Sequence, residues 1–171
     1  ARLSLIKNVI RRIAAADQFT VSVSGAGSTT LTNTSGVAIP ASAVTVTTSG
    51  AATGNYTNAT NPTFRVTPDQ SLLISDAMAA GSTTALSMHE SLLTCTNAFA
   101  GSGASTGLPN NLATTTFNLI PAPDDNITCT FSNKGRLSDL SISKTNGVAA
   151  LASGSSSSYT IRVTNNGPDT V

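Results

Sequence analysis

The chain has no tryptophan, one histidine, one glutamate and two cysteines in 171 residues, and only 10% of its residues are charged. Nine basic and eight acidic residues leave a net charge of +1. There is no basic stripe with interleaved aromatics, which argues against nucleic acid as a partner. No apolar run approaches the ~18 residues that a membrane-spanning helix requires. No signal peptide is recognisable, so an exported form is expected to be mature already, and Ala1 is compatible with a small-residue cleavage site. The cysteines, Cys95 and Cys129, lack C-x-x-C spacing, which argues against a metal site and favours a disulfide over two free buried thiols. Such a bond closes a loop of about 34 residues, worth ~3 kcal/mol in the chain-entropy account.

The scarcity of reactive groups also argues against an enzyme. His89 stands beside Glu90, with Ser87 and Ser91 nearby, but adjacent strand residues point to opposite faces and cannot form a triad. This pair reads as exposed strand or loop. Asp124-Asp125-Asn126 offers oxygen atoms without the alternate spacing of a calcium loop and reads as a turn. "GSGASTG" has no Lys after its glycines and is no phosphate cradle. Arg11-Arg12 reads as a solvated loop tip. No catalytic residue, metal or cofactor is expected. The sequons at Asn33, Asn55, Asn58 and Asn126 matter only in a host that glycosylates exported asparagines.

What the chain has in abundance is Ser and Thr, together nearly a third of it, with Gly, Ala and Asn filling much of the rest. This composition suits an extended β protein outside the cell. In "ARLSLIKNVIRRIAAADQFTVSVSG", Leu5, Val9 and Ile13 would fit a helix. Strand alternation is preferred: Leu3, Leu5, Lys7 and Val9 share one face, a loop runs from Arg11 to Asp17, and Phe19, Val21 and Val23 alternate behind it. Further strands are expected in "VAIPASAVTVTTSG", with Val44 and Val46 on one face, in "NPTFRVTP" and "DQSLLISDAMAAG", and in "TALSMHESLLTCT". "AFAGSGASTGLPNN" reads as a long surface loop, and "TTTFNLIPAPDDNITCTFSN" as two closing strands around a Pro-Asp turn. Many short strands between turn signals predict an all-β sandwich.

The texture changes near Lys134-Gly135-Arg136, which predicts a domain over 1–135 and a second segment over 136–171. In that segment Asp139 to Lys144 is expected to form a strand with Leu140 and Ile142 inward, "TNGVAALASGSSSS" a linker-like loop, and Tyr159 to Thr164 a second strand. The dense turn signal Asn165-Asn166-Gly167-Pro168-Asp169 follows. Two strands alone are marginal, so this reads as a two-stranded extension from an incomplete second module.

"RLSLIKNVI", "DQFTVSVSG", "SLLISDAMAAG" and "ITCTFSNKG", in that order, resemble the prealbumin-like module of bacterial envelope proteins, similar to the collagen-adhesin B-type or pilin-like stalk domains. "DLSISKTNGVAALASGSSSSYTIRVTNNGPDTV" resembles the start of a conserved immunoglobulin-like surface repeat, which would carry further strands after Pro168. The resemblance implies a structural role at the bacterial cell surface. Some relatives join a first-strand Lys to a last-strand Asn beside a buried acid, and the matching residues here are Lys7, Asn133 and Asp76. That chemistry needs an apolar setting. The ordinary alternative is a surface lysine, a turn aspartate and a strand-end asparagine.

Two functions are expected to compete. In the first, the chain is a structural subunit of an extracellular filament or stalk, in which Leu140, Ile142, Tyr159, Ile161 and Val163 pair with neighbouring copies by strand addition. In the second, it is an adhesin module that binds a host ligand or glycan through loops 50–61 and 99–111.

Overall fold

The computed structural model describes residues 1–167 and 169. Pro168, from the turn signal singled out above, lies outside the described residues, as do Thr170 and Val171. The chain divides into a compact unit over Ala1–Gly135 and a second unit that begins at Arg136.

The first unit is a β-sandwich. Its larger sheet contains β1 (Arg2–Arg11), β3 (Thr32–Asn33), β5 (Gly54–Thr57), β6 (Phe64–Arg65), β8 (His89–Asn97), β9 (Leu112–Ala113) and β11 (Asn126–Gly135). They run in the order β3-β6-β1-β11-β8-β9, with β5 also pairing to β1. The smaller sheet holds β10 (Thr116–Leu119), β7 (Leu72–Met78), β2 (Phe19–Ser24) and β4 (Val46–Thr47) in that order. Each long strand alternates because its inner face meets the opposite sheet and its outer face meets solvent. Leu3, Leu5 and Val9 of β1 are buried, as are Phe19, Val21 and Val23 of β2, Leu72 and Ile74 of β7, and Ile127, Cys129 and Phe131 of β11.

The central pairing joins the first strand of the unit to its last. β1 and β11 run parallel, with Leu3 opposite Ile127, Lys7 opposite Phe131 and Val9 opposite Asn133. β11 is also paired antiparallel to β8, with Cys129 opposite Cys95 and Asn133 opposite Ser91. Cys95 and Cys129 are bonded to each other inside the core. The bond therefore pins the β8–β11 register four residue pairs from the Asn133–Ser91 pair.

Some expectations change in detail. Ala41–Val44 forms a 3-10 turn instead of a strand, although Val44 and Val46 are both buried. The two closing strands do not pair with each other: β10 joins β7 and β11 joins β8, so the Pro-Asp turn carries the chain from one sheet to the other. Arg11 continues β1, and its guanidinium donates to the Gly135 carbonyl. Arg12 is half-buried, its guanidinium 5.7 Å from the Phe19 ring centroid and 5.9 Å from that of Tyr56. The arginine pair is thus packed, not a solvated tip, because long cationic stems cover aromatic surface. Asp125 is buried and accepts from Asn97, Ser105 and the Ala122 N–H, which ties the Gly-rich loop to the start of β11.

The second unit is an antiparallel pair, β12 (Leu140–Thr145) and β13 (Thr160–Asn165), with Ile142 opposite Val163 and Lys144 opposite Ile161. Leu140 and Ile142 were expected inward; they are 57% and 74% exposed. A lone pair of strands has no second layer to cover either face. The Asn-Gly turn after β13 folds back on the start of β12. The Asn166 N–H donates to the Asp139 carbonyl at 2.7 Å, and Asn165 Oδ1 accepts from the N–H groups of Asp139 and Gly167. A Cβ on Gly167 would stand 2.6 Å from the Asp139 nitrogen, so the close approach requires glycine there.

Candidate functional site

Lys7 is wholly buried although it is a lysine, and this is what marks the site. Its parity on β1 matches that of Leu3, Leu5 and Val9, so the alternation that builds the core also drives its ammonium between the sheets. Lys7 Nζ donates to Asp76 Oδ1 and to Asn133 Oδ1. Asp76 comes from β7 in the opposite sheet, and Asn133 from β11 beside β1. Because β1 and β11 are parallel and Asn133 lies opposite Val9, the long lysine side chain runs forward along the strands to meet it. Aromatic rings wall the chamber, with the Phe19 centroid 4.7 Å and the Phe131 centroid 5.9 Å from Lys7 Nζ.

Asp76 is 4% exposed and Asn133 fully buried, so all three groups are withdrawn from water. The ordinary reading of a surface lysine, a turn aspartate and a strand-end asparagine does not describe them. Burial lowers the Lys7 pKa to about 8 against the attraction and hydrogen bond of Asp76, which raise it. The neutral amine, the nucleophilic form, is thereby brought within reach near neutral pH. Among the described residues Asp76 Oδ2 has no hydrogen-bond partner, whereas Asn133 Nδ2 donates to Ser91 Oγ at 3.1 Å.

Three further residues surround the chamber. His89 is 4% exposed, a correction to its reading as exposed strand or loop. Its Nδ1 lies 3.3 Å from the Ala85 carbonyl, its ring meets Phe19 edge-on at 5.1 Å, and its Nε2 lies 3.9 Å from Asp17 Oδ2. Desolvation lowers the His89 pKa, with Lys7 adding to the effect and Ala85, Asp17 and Asp76 opposing it. Asp17 accepts from the Ala14 N–H at 2.8 Å and from the N–H and hydroxyl groups of Thr83 and Thr84. It thereby staples the β1–β2 loop to the β7–β8 connection. Ser91 is the third. The signal for His89 and Ser91 was strand parity, since both share a face with Leu93 and Cys95.

Burial alone would raise the Asp17 pKa, but the donors from Ala14, Thr84 and Thr83 outweigh it and hold the group at about 2. A carboxyl depressed in the folded state contributes stability that is fully present above its unfolded pKa of 3.8 and is lost as pH falls towards about 2. Asp17→Asn is therefore expected to flatten the acid limb of the stability–pH curve between about pH 4 and pH 2, read from urea midpoints. An acid limb identical to that of the parent chain would count against this assignment.

The profile of the prealbumin-like fold domain matches residues 2–135, the whole of the sandwich with its Lys7–Asp76–Asn133 chamber. The chain belongs to this family. The family extent ends where the first unit ends, at Gly135. Searches of curated proteins and of solved structures found no match.

Proposed function

We propose that the chain is a structural module of an extracellular bacterial surface stalk or filament, in which an amide bond between Lys7 and Asn133 fastens the first strand of the sandwich to its last. The observation that carries this reading is the Lys7 ammonium, wholly buried and held between the Asp76 carboxylate and the Asn133 carboxamide oxygen. Proton transfer from Lys7 to Asp76 leaves a neutral amine beside a neutral acid, a pair that a low-dielectric chamber favours over two charges. The amine attacks Asn133 Cγ while Asp76 shares its proton with Oδ1. The Cγ–Nδ2 bond then breaks, the proton returns through Asp76 to the departing nitrogen, and ammonia leaves. One Cγ–Nζ bond forms and one Cγ–Nδ2 bond is lost, without oxidant or cofactor. The residues act once, on their own chain, so this is maturation rather than enzymatic turnover.

The bond suits a load-bearing part. Tension applied at the start of β1 and the end of β11 shears this parallel pair, and a Lys7–Asn133 link bridges it directly. The intervening chain is then spared from extension. The intact mass is expected to fall one ammonia short of the sequence mass, after allowance for the two hydrogens of the disulfide, and Lys7→Ala should restore it. A parent chain at the unmodified mass rejects the cross-link.

Assembly is the second part of the proposal. β12 and β13 present Leu140, Ile142, Ile161 and Val163 at 57–74% exposure, with Tyr159 at 55%. Among the described residues the two-stranded sheet has open edges, a template for strand addition. We assign this apolar face to strands of a neighbouring copy. The adhesin alternative would use loops 50–61 and 99–111 and predicts a monomer that binds a ligand.

A further inference from the structure

Asn133 presents its carboxamide end-on, with Oδ1 towards Lys7 and Nδ2 towards Ser91 Oγ at 3.1 Å. The reaction above requires this orientation, because the acid proton must reach oxygen and the nitrogen must leave. The Lys7 ammonium, a pure donor, selects oxygen only while it is charged. Once its proton has passed to Asp76, the amine can accept as well as donate, and Lys7 no longer distinguishes the two ends of the carboxamide. A second group must then hold the nitrogen on the far side. Ser91 is placed to do so by backbone register, since it lies directly opposite Asn133 in the β8–β11 ladder. The Cys95–Cys129 bond on the same inner face keeps that ladder from slipping.

Resting on the Lys7–Asn133 reading, we propose that Ser91 is a positioning residue for amide formation: it holds the Asn133 nitrogen as the leaving group and keeps Oδ1 turned to Asp76 through the uncharged stage. Its exposure adds a direction. Ser91 is 8% exposed, whereas Lys7 and Asn133 are at 0% and Asp76 at 4%. Of the four, Ser91 is the least buried, and it is the one that receives the nitrogen. The hydroxyl there gives the nascent ammonia a hydrogen-bond partner, whereas the surroundings of Lys7 Nζ include the Phe19 and Phe131 rings.

The test follows the mass of the full chain after a pulse of cell-free synthesis under oxidising conditions, reading the half-time for loss of one ammonia. Ser91→Ala is expected to lengthen that half-time roughly tenfold or more, as misplacement of a reacting group does. Ser91→Thr, which keeps a hydroxyl, is expected to recover most of the rate, and Ser91→Val, its near-isostere without one, to remain slow. The Thr and Val chains both suit a strand, so their comparison stands even where the Ala chain fails to form its disulfide. In a Lys7→Ala background, where no amide can form, the melting temperatures of the Ser91→Thr and Ser91→Val chains read the cost of losing the hydroxyl partner of Asn133 Nδ2 on stability alone, which separates positioning from packing. Ser91→Val cross-linking at the parent rate, or Ser91→Thr as slow as Ser91→Val, overturns the role of Ser91 and leaves the amide reading intact. A parent chain that never loses ammonia overturns both.

Discussion

Asp76→Ala is expected to yield a chain in which Lys7 and Asn133 remain unjoined and whose folded state is severely weakened. Two losses combine. Removing the carboxylate leaves Lys7 unreacted, a fully buried amine with no counter-charge that the amide-linked parent does not carry, and a buried charge left without its partner typically costs about 3–5 kcal/mol. The missing amide adds to this. Lys7 and Asn133 are 126 residues apart, and a cross-link over such a span constrains the denatured chain by roughly 5 kcal/mol in the loop-entropy account. Their sum is comparable to the whole stability of an ordinary domain, about 5–15 kcal/mol. Intact mass and urea midpoint together check the expectation: the variant should keep its ammonia and unfold at far lower urea.

The two contributions can be separated. Lys7→Met combined with Asp76→Leu removes both charges and fills the chamber with apolar atoms, which is often neutral or stabilising for a buried pair. This double variant should regain much of the desolvation loss while remaining uncross-linked, with Asn133 Oδ1 left short of a donor. An Asp76→Ala chain that still loses one ammonia would show that the acid is dispensable, and the mechanism given above would be wrong.

Replacing Ile142 and Val163 together by Thr is expected to weaken self-association by more than tenfold. The two side chains face each other across β12 and β13 and are 74% and 63% exposed. Burial against a neighbour is worth roughly 1.5–3 kcal/mol for each such side chain. Threonine keeps the β-branched shape that suits a strand, so the hairpin should persist while its apolar face is interrupted. Since ~1.4 kcal/mol is tenfold in an association constant, the pair should weaken assembly by more than tenfold. Sedimentation of the full chain, parent against variant, reads the outcome directly. Assembly of the variant equal to that of the parent would remove this face from the interface, and a parent chain that stays monomeric while binding a ligand would favour the adhesin reading.

Much of this was legible in the chain itself. Alternation placed Lys7 on the same face as Leu3 and Leu5, and the same rule, extended back from Leu93 and Cys95, reaches Ser91 and His89. The change of texture at Lys134-Gly135-Arg136 coincides with the end of the sandwich, and the Asn-Gly turn after Val163 is where the second unit folds back on itself. Local pattern could settle these because side-chain direction in a strand follows from a period of two. It could not settle which strands lie side by side. That β1 and β11 pair in parallel across more than a hundred residues, that β7 brings Asp76 over them from the other sheet, and that Asp17 and His89 are enclosed beside Phe19 are consequences of long-range packing. Periodicity assigns a residue to a face, but only the closing of two sheets on one another decides what that face meets and how far it is removed from water. For Lys7 that removal is what turns an ordinary surface cation into a candidate nucleophile.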